Sequence, residues 1–561
     1  MRKHFIIVAS LALCAVGTSC KKIYESVPVE NLTDAYIWDD KDSSAKYATQ
    51  FMSDLYASIP TGYNRIQSPG ILIGDFLDAA SDDAVSSRTA NSSIANMARG
   101  GITVFNNPDN LWGSSYASIR KATVFLNNFH IVPFKSTYEK RSWFGEARAL
   151  RAYFYWELVR RWGGVPLMGD EPLALEDGVD IPRNSFERCI EYIVSECDRA
   201  IDSLRNDPID DANLGRWSKG SAMALKAQVL LFAASPLYNG GNAGDSLTGY
   251  ASYDPQRWKR AADAARAVMD MNVFSLQSNF IDIFISKRSP EVIAAKMMGT
   301  GRGVEADNGP INFSSAPAGG LTSPTQELVD AYGMSNGKPI SDPTSGYDPA
   351  NPYASRDPRL GYTVFYNGSP WLNSQIETFN GGQQRPGGSF LQTQTGYYMR
   401  KFMGRFETES QYSSQYHDWI LFRYAGMLLN YAEAMNEFAG PSPEAYKAVE
   451  DVRQRAGLDP YTLDPGLTKE QLREVIRNER RKEFAFEEYR YWDIRRWKIA
   501  GEVYNKPLHG IVIVKDPSGN YTYGESEVIT TAFDESKMYF YPIPFAEMMA
   551  NDKMVQNPGW E

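Results

Sequence analysis

Apolar residues recur at every third or fourth position along several stretches, and this periodicity constrains the fold more than any other feature of the chain. The clearest series has the spacing of one face of an α-helix. Its members are Leu421, Tyr424, Leu428, Tyr431, Met435 and Phe438. Residues 142–162 predict a second helix that ends at Gly163-Gly164. Residues 218–234 predict a third, and because it is apolar nearly all round we expect it between other helices.

The predicted helices follow one another in pairs that are closed by small residues or proline. They lie near 109–129 with 142–162, 186–204 with 218–237, 257–271, and 418–438 with 443–456. This order resembles degenerate tetratricopeptide-type hairpins, about four pairs in all, interrupted by long inserts. Capping patterns predict two further helix starts, one at Ser323-Pro324-Thr325-Gln326 and one at Thr468-Lys469-Glu470-Gln471. The predicted fold class is mainly α.

Long polar, glycine-rich inserts separate the helical pairs. They cover 60–101, 299–320, 333–359 and 366–397. Irregular stretches of this length in a folded protein usually carry function, so a loop-rich, variable half is predicted beside the helical scaffold. A few short strands are expected, such as 510–514 and 521–523 around the turn at 516–520.

The first twenty residues have the layout of a secretory signal. Two basic residues precede an apolar run over 5–16, and Gly17-Thr18-Ser19 leads into Cys20. The run is shorter than the ~20 residues that a membrane helix needs. Small residues before a cysteine are typical of lipoprotein cleavage, so we predict a signal peptide over 1–19, lipidation of Cys20 and a tether over 20–34. The remainder, 35–561, is predicted as one domain, with an N-terminal part to about 300 and a C-terminal part from about 301.

Charge and cysteine content exclude some functions. The net charge is −10 and becomes more negative once Arg2 and Lys3 leave with the signal, which argues against nucleic acid as a partner. Cys189 and Cys197 lie eight positions apart in one predicted helix, which is too far for a disulfide. We expect both to be buried apolar residues of the core.

No catalytic motif stands out. The histidines are scattered without a zinc-binding spacing, and Gly299-Thr300-Gly301-Arg302-Gly303 is interpreted as a flexible loop. Four carboxylates, Asp75, Asp78, Asp82 and Asp83, are candidate calcium ligands or glycosidase acids, although their spacing fits no EF-hand. A structural network is the favoured interpretation of these acids. The alternating charges over 477–484 are interpreted as a self-paired or interhelical helix face.

Several segments, in order along the chain, resemble the SusD/RagB family of Bacteroidetes nutrient-uptake lipoproteins. They are GEARALRAYFY at 145–155, LVRRWGGVPL at 158–167, SPTQELVDAY at 323–332, RDPRL at 356–360, RNERRKEF at 477–484, YWDIRRW at 491–497, YPIP at 541–544 and QNPGW at 556–560. The resemblance implies a tetratricopeptide-like scaffold on the outer surface of the outer membrane. It also implies a non-catalytic protein that caps a TonB-dependent, SusC-like transporter and captures an oligosaccharide or another nutrient.

Loop residues that combine rings with hydrogen-bonding groups are the predicted ligand contacts, because sugars offer C–H faces and hydroxyls. In the first insert they are Tyr63, Arg88 and Asn91, and in the later insert Tyr366, Asn367 and Trp371. No cofactor is expected, with calcium left open. Two alternatives remain: a surface glycoside hydrolase that uses the four aspartates, and a helical-repeat adaptor that binds only protein.

Overall fold

Helices supply most of the regular structure in the computed structural model, which describes residues 37–70, 73–88, 92–174, 178, 180–240, 245–387 and 392–561. The predicted signal peptide, the tether, Cys20 and Asn91 lie outside the described residues and stay predictions. Within those residues, no helix is long and apolar enough to cross a membrane.

The first half of the chain builds the larger part of the scaffold. Its helices are α1 Lys46–Ala57, α2 Ser93–Ala98, α3 Trp112–Asn128, α4 Thr137–Trp162, α5 Phe186–Ile201, α6 Lys219–Ala234, α7 Gln256–Met269, α8 Asp282–Ile285 and α9 Gly303–Asn308. Helix α4 ends where predicted, because Gly163 adopts a φ of 75° that side chains disfavour. Helix α6 begins at a Ser218 cap and is buried on nearly every side, as its composition predicts.

The second half completes the scaffold and adds short helices among the loops. These helices are α10 Gln326–Ala331, α11 Pro358–Thr363, α12 Tyr424–Ala439, α13 Pro443–Ala456, α14 Lys469–Glu483, α15 Tyr489–Arg496, α16 Ala500–Val503 and α17 Phe545–Ala550. The predicted capping box at Thr468 and Gln471 is present at the start of α14. The cap predicted at Ser323 is wrong. Thr325 caps α10 instead, because Ser323 and Pro324 pair in a strand.

Neighbouring helices pack in a row that gives about four pairs. Helices α3 and α4 pack together, α5 packs between α4 and α6, and α6 packs against α7. The partner of α7 is α12, which follows it by about 150 residues and also packs against α13 and α14. The whole loop-rich region between α7 and α12 is therefore an insertion into one helical pair. The mainly α, tetratricopeptide-like prediction is confirmed.

Twelve short strands form six two-stranded sheets among the described residues. They are β1 Ala84–Ser86, β2 Val292–Lys296, β3 Thr300–Gly301, β4 Thr322–Pro324, β5 Val364–Phe365, β6 Pro370–Trp371, β7 Ser374–Gln375, β8 Tyr398–Met399, β9 Gln415–Tyr416, β10 Trp419–Arg423, β11 Pro507–Lys515 and β12 Tyr521–Thr530. All six pairs are antiparallel. The predicted hairpin around 516–520 is present as β11 and β12, with both strands longer than predicted.

Strand β10 corrects the prediction of a helix from 418. Residues Trp419–Arg423 pair with β2, and α12 begins only at Tyr424. Aromatic and β-branched residues favour a strand, and the pairing partner decides between strand and helix. Gly299 to Gly303 is likewise not a plain loop, because β3 pairs with β9 and α9 begins at Gly303.

Buried ion pairs tie the helical half to the loop-rich half. The Arg423 guanidinium, 1% exposed, lies 2.7 Å from Glu291 Oε1, 2.6 Å from Glu483 Oε1 and 2.8 Å from Glu487 Oε2. Burial alone would raise the pKa of Glu483, but the charges of Arg455 and Arg423 outweigh it and hold that pKa well below its usual range. The charges over 477–484 therefore form an interhelical network, one of the two interpretations that the sequence allowed.

Candidate functional site

Three loop segments meet on one face of the loop-rich half, which we call the loop face. It comprises residues 61–70, 73–75, 298–308 and 412–418 together with Arg88. Thr61 Oγ1 lies 3.4 Å from Met298 Sδ, Asp418 Oδ1 accepts from the Met298 amide at 2.7 Å, and β3 pairs with β9. These contacts join the three segments across more than 350 residues of sequence.

Asn64 and Asp307 form the polar centre of the loop face. Asn64 Nδ2 donates to Asp307 Oδ2 at 2.6 Å, and Asn64 Oδ1 accepts from Asn308 Nδ2 at 3.0 Å. Burial raises the pKa of Asp307, although Asn64 and the charge of Arg88 oppose the shift. Asn64 has a φ of 48°, a left-handed conformation that asparagine tolerates. The amide and the carboxyl are thereby held in place, half-buried, at the surface of the face.

Arg88 lies at the edge of the loop face, over a buried acid. Its Nη1 donates to the carbonyl of Ile73 at 2.8 Å and lies 3.9 Å from Asp75 Oδ2. The side chain of Ile73 is 43% exposed beside it. Burial raises the pKa of Asp75 to about 7, with Arg88 acting in the opposite direction. Arg88, predicted as a ligand contact, is itself only 5% exposed, so its guanidinium serves this buried polar cluster more than the surface of the face.

Arg302 supplies an exposed guanidinium at the start of α9. Its Cζ lies 5.2 Å from the ring centroid of Tyr412, which is half-buried. Among the described residues, no carboxylate lies within salt-bridge distance of Arg302. A guanidinium beside a tyrosine ring offers a fork of donors and an aromatic surface together. This pair has the groups that bind a hydroxyl-rich ligand.

Tyr63, predicted as a ligand contact, packs against three rings that lie just outside the loop face. It packs edge-on against Phe76, Phe402 and Trp419, with centroids 5.0–6.0 Å apart. Its hydroxyl donates to the Asp418 carbonyl at 3.4 Å. The ring is half-buried, and most of its contacts fix the loop in place.

The predicted contacts of the later insert are not part of the loop face, although Phe406 packs against both Trp371 and Tyr412. Trp371 is 2% exposed and packs between Phe365 and Phe406, so its ring offers no face to solvent in this structure. Asn367 is buried, and its Oδ1 accepts from the Thr378 amide at 3.1 Å. Tyr366 is half-buried and stacks on Tyr353.

The four aspartates are buried, and the structure gives them different partners. Asp82 lies 2.7 Å from Arg490 Nε and 2.9 Å from Arg481 Nη2, and Asp83 lies 2.7 Å from Arg481 Nε. Asp78 accepts from the amides of Phe486 and Glu488. These three therefore tie the first insert to the turn after α14. Within the described residues, no group of three or more acidic, histidine or cysteine side chains is placed to hold a metal ion.

The sequence did not single out Asn64, Asp307, Arg302 or Tyr412. The first three lie in predicted inserts, and Asn64 follows Tyr63 directly, so proximity to the inserts was the available signal. Tyr412 lies outside every predicted insert. Its position depends on the pairing of β3 with β9, which joins residues more than 100 positions apart and has no local sequence pattern.

Comparisons with known proteins agree with this architecture. The SusD family model matches residues 290–560, and the model described as starch-binding and associating with the outer membrane matches residues 39–231. A SusD-like protein P38 of Formosa agariphila is 24% identical over 544 residues, covering 90% of this chain and 93% of that protein. A SusD-like protein of Bacteroides fragilis has a similar structure, with a TM-score of 0.77 and 26% identity over 94% of this chain and 98% of that chain. Another structure from that organism, a SusD-like carbohydrate-binding protein, gives a TM-score of 0.74 and 25% identity over 91% and 99% of the two chains.

The fold and the loop face together define a class: a helical-repeat scaffold that supports long loops, one before α3 and the others inserted between α7 and α12. The chain belongs to the SusD/RagB family.

Proposed function

We propose that this protein is a non-catalytic, lipid-anchored, glycan-binding protein of the outer membrane that works with a TonB-dependent transporter of the SusC type. In this proposal the loop face binds an oligosaccharide and hands it over for import. Cys20 carries the lipid that keeps the protein at the outer surface.

The observation that carries the proposal is the chemistry of the loop face. Arg302 and Tyr412 offer donors and a ring, and Asn64 and Asp307 offer an amide and a carboxyl that their neighbours hold in place. Sugars need this combination, because ring faces stack on their C–H groups while polar side chains bind their hydroxyls. The carbohydrate-binding relative from Bacteroides fragilis and the starch-binding family model support the same ligand class.

The arrangement of the acids favours binding over hydrolysis. Asp82 and Asp83 form ion pairs with arginines, and Asp78 accepts hydrogen bonds from two backbone amides. Asp75 is fully buried near Arg88, so its carboxyl does not reach a ligand at the surface. A glycosidase needs two carboxyl groups that face the scissile bond from opposite sides. The glycoside hydrolase alternative therefore has no support from these aspartates.

Calorimetric titration tests the proposed class. Residues 21–561, which retain the whole described core, are titrated with maltoheptaose, laminarihexaose and a galacturonate hexamer. We expect saturable binding of at least one of them, with no reducing ends released during an overnight incubation. Release of reducing ends would favour the hydrolase. Absence of binding to the whole panel, together with co-purification of a transporter, would favour the protein-only adaptor.

A further inference from the structure

Five aromatic rings, two of them on strand β12, form a continuous row of contacts. None of the five belongs to the loop face. Tyr366 stacks on Tyr353 at 4.2 Å, Tyr353 meets Tyr523 at 6.0 Å, Tyr523 meets Tyr521 at 6.5 Å, and Tyr521 meets Phe379 at 5.7 Å. We call this set the tyrosine row. Tyr521 and Tyr523 lie two positions apart on β12, so their side chains share one face of the strand.

The rings of the tyrosine row are partly exposed to solvent. All five side chains are half-buried, so each keeps part of its surface in contact with solvent. Among the described residues, no partner is found for the hydroxyls of Tyr366, Tyr521 and Tyr523, and none of these three hydroxyls is enclosed. A tyrosine that serves only the core usually satisfies its hydroxyl, as Tyr332 does with Thr363 and Lys482. The row therefore offers ring surface and free donors together.

Lys515 places a positive charge at one end of the row. Its Nζ lies 5.0 Å from the centroid of Phe379 and 5.6 Å from that of Tyr521. The side chain is exposed, and no carboxylate of the described residues lies within salt-bridge distance of it. The ammonium group is thus held over two rings without an acidic partner. A carboxylate on a ligand that stacks on these rings would meet it directly.

The row is braced against the segment that carries the loop face. The backbone N–H of Asn380, the residue after Phe379, donates to the Ile513 carbonyl at 2.8 Å. This hydrogen bond ties the loop to β11. The same loop contacts the stretch after α9, since Gln384 Nε2 donates to the Ile311 carbonyl at 3.1 Å and Asn312 Nδ2 donates to the Gln383 carbonyl at 2.7 Å. These hydrogen bonds connect the loop that carries Phe379 to the stretch that follows α9.

We propose that the tyrosine row is a second binding site, on which a glycan strand stacks along Tyr521 and Phe379, and that Lys515 gives this site a preference for uronate-containing glycans. The proposal rests on the glycan-binding function proposed above and adds to it a site and a ligand class. The rings bind the C–H faces of the sugars, the free hydroxyls bind sugar hydroxyls, and the ammonium group binds the carboxylate.

Titration of paired variants tests the site. Residues 21–561 carrying Tyr521→Ala or Lys515→Gln are titrated with the galacturonate hexamer and with laminarihexaose, at low and high salt. Tyr253→Ala and Lys259→Gln are the controls, since both side chains are exposed on the helical half. Melting temperatures show whether each variant is folded.

The tyrosine row predicts a different result for each variant. Tyr521→Ala lowers the affinity for the galacturonate hexamer about tenfold, as expected for loss of an aromatic anchor. Lys515→Gln weakens binding of the galacturonate hexamer alone, about threefold, and reduces the salt dependence of that binding. Unchanged affinity in both folded variants, while Arg302→Gln abolishes binding, overturns the tyrosine row and leaves the proposed function in place. No binding of any glycan by the wild-type chain would instead overturn the proposed function itself.

Discussion

At the scale of single residues, the loop face depends on polar side chains whose partners are set by burial. Arg88 lies close to an acid that burial keeps partly protonated near neutral pH, whereas Arg302 lies close to a ring. Arg302 therefore presents its charge to solvent, whereas Arg88 is buried near Asp75 and acts on the pKa of Asp307. The ring of Tyr63, by contrast, packs against Phe76, Phe402 and Trp419. It therefore holds the loop in its conformation more than it offers a surface to a ligand.

Asp75 gives a test of this electrostatic picture. Its folded pKa is raised to about 7 from a usual value near 4, so the folded state holds a proton that the unfolded state has lost. Stability should therefore fall as pH rises from about 4 to about 7. Asp75→Asn should remove this contribution and increase the free energy of unfolding at pH 8 by about 1–3 kcal/mol. Urea unfolding at pH 5 and pH 8 measures it, and an equal effect at both pH values would contradict the raised pKa.

At the scale of elements, local patterns predicted the helices well and the strands less well. Helices α4 and α6 have apolar periodicity and capping residues within their own segments, so local sequence was enough to predict them. Strand β10 needs β2, more than 120 residues away, to decide its conformation, and local sequence contains no trace of that pairing. Of the predicted ligand contacts, Trp371 is buried between Phe365 and Phe406. Phe406 lies outside the insert that contains Trp371, so the local sequence does not predict this burial.

Arg423, at the junction of β10 and α12, tests how these elements are held together. Arg423→Met should cost about 3–5 kcal/mol, because it leaves Glu291, Glu483 and Glu487 buried with fewer cations. Lys447→Met is the matched control, since Lys447 forms an exposed pair with Asp451 and should change stability by less than about 0.5 kcal/mol.

Urea unfolding of the two variants provides the measurement. At acidic pH, the difference in the free energy of unfolding between Arg423→Met and the wild type should become smaller. The pKa of Glu483 is depressed in the folded state, so its contribution is present above pH ~4.5 and is lost below it. Equal costs for the two substitutions would show that the network does not stabilise the fold.

At the scale of the whole molecule, a helical row supports one long loop region before α3 and another that is inserted between α7 and α12. One continuous hydrophobic core runs from Trp38 to Met554 and includes residues of both halves. A surface built on such a scaffold loses little conformational entropy when it binds a ligand. The sequence predicted the scaffold, which the structure confirms, but not which loop residues would meet. The lipid anchor stays a prediction, because Cys20 lies outside the described residues.

The anchor is tested by Cys20→Ser in the producing cell. Palmitate labelling should be lost, and the protein should move from the outer-membrane fraction to the soluble fraction, because the proposed lipid provides the attachment. Ser19→Ala is the control and should keep both labelling and location. Retention of Cys20→Ser in the membrane would show that another part of the chain, or a partner such as the transporter, holds it there.

The most direct measurement of the central claim is a crystal structure of residues 21–561 with whichever glycan of the panel binds most tightly, together with titration of Arg302→Gln. We expect a sugar ring on Tyr412 with its hydroxyls bound by Arg302, Asn64 or Asp307. Arg302→Gln should lose about tenfold or more in affinity, and the exposed control Arg188→Gln on α5 should lose none. A glycan bound on the helical scaffold, with full affinity in Arg302→Gln, would contradict it.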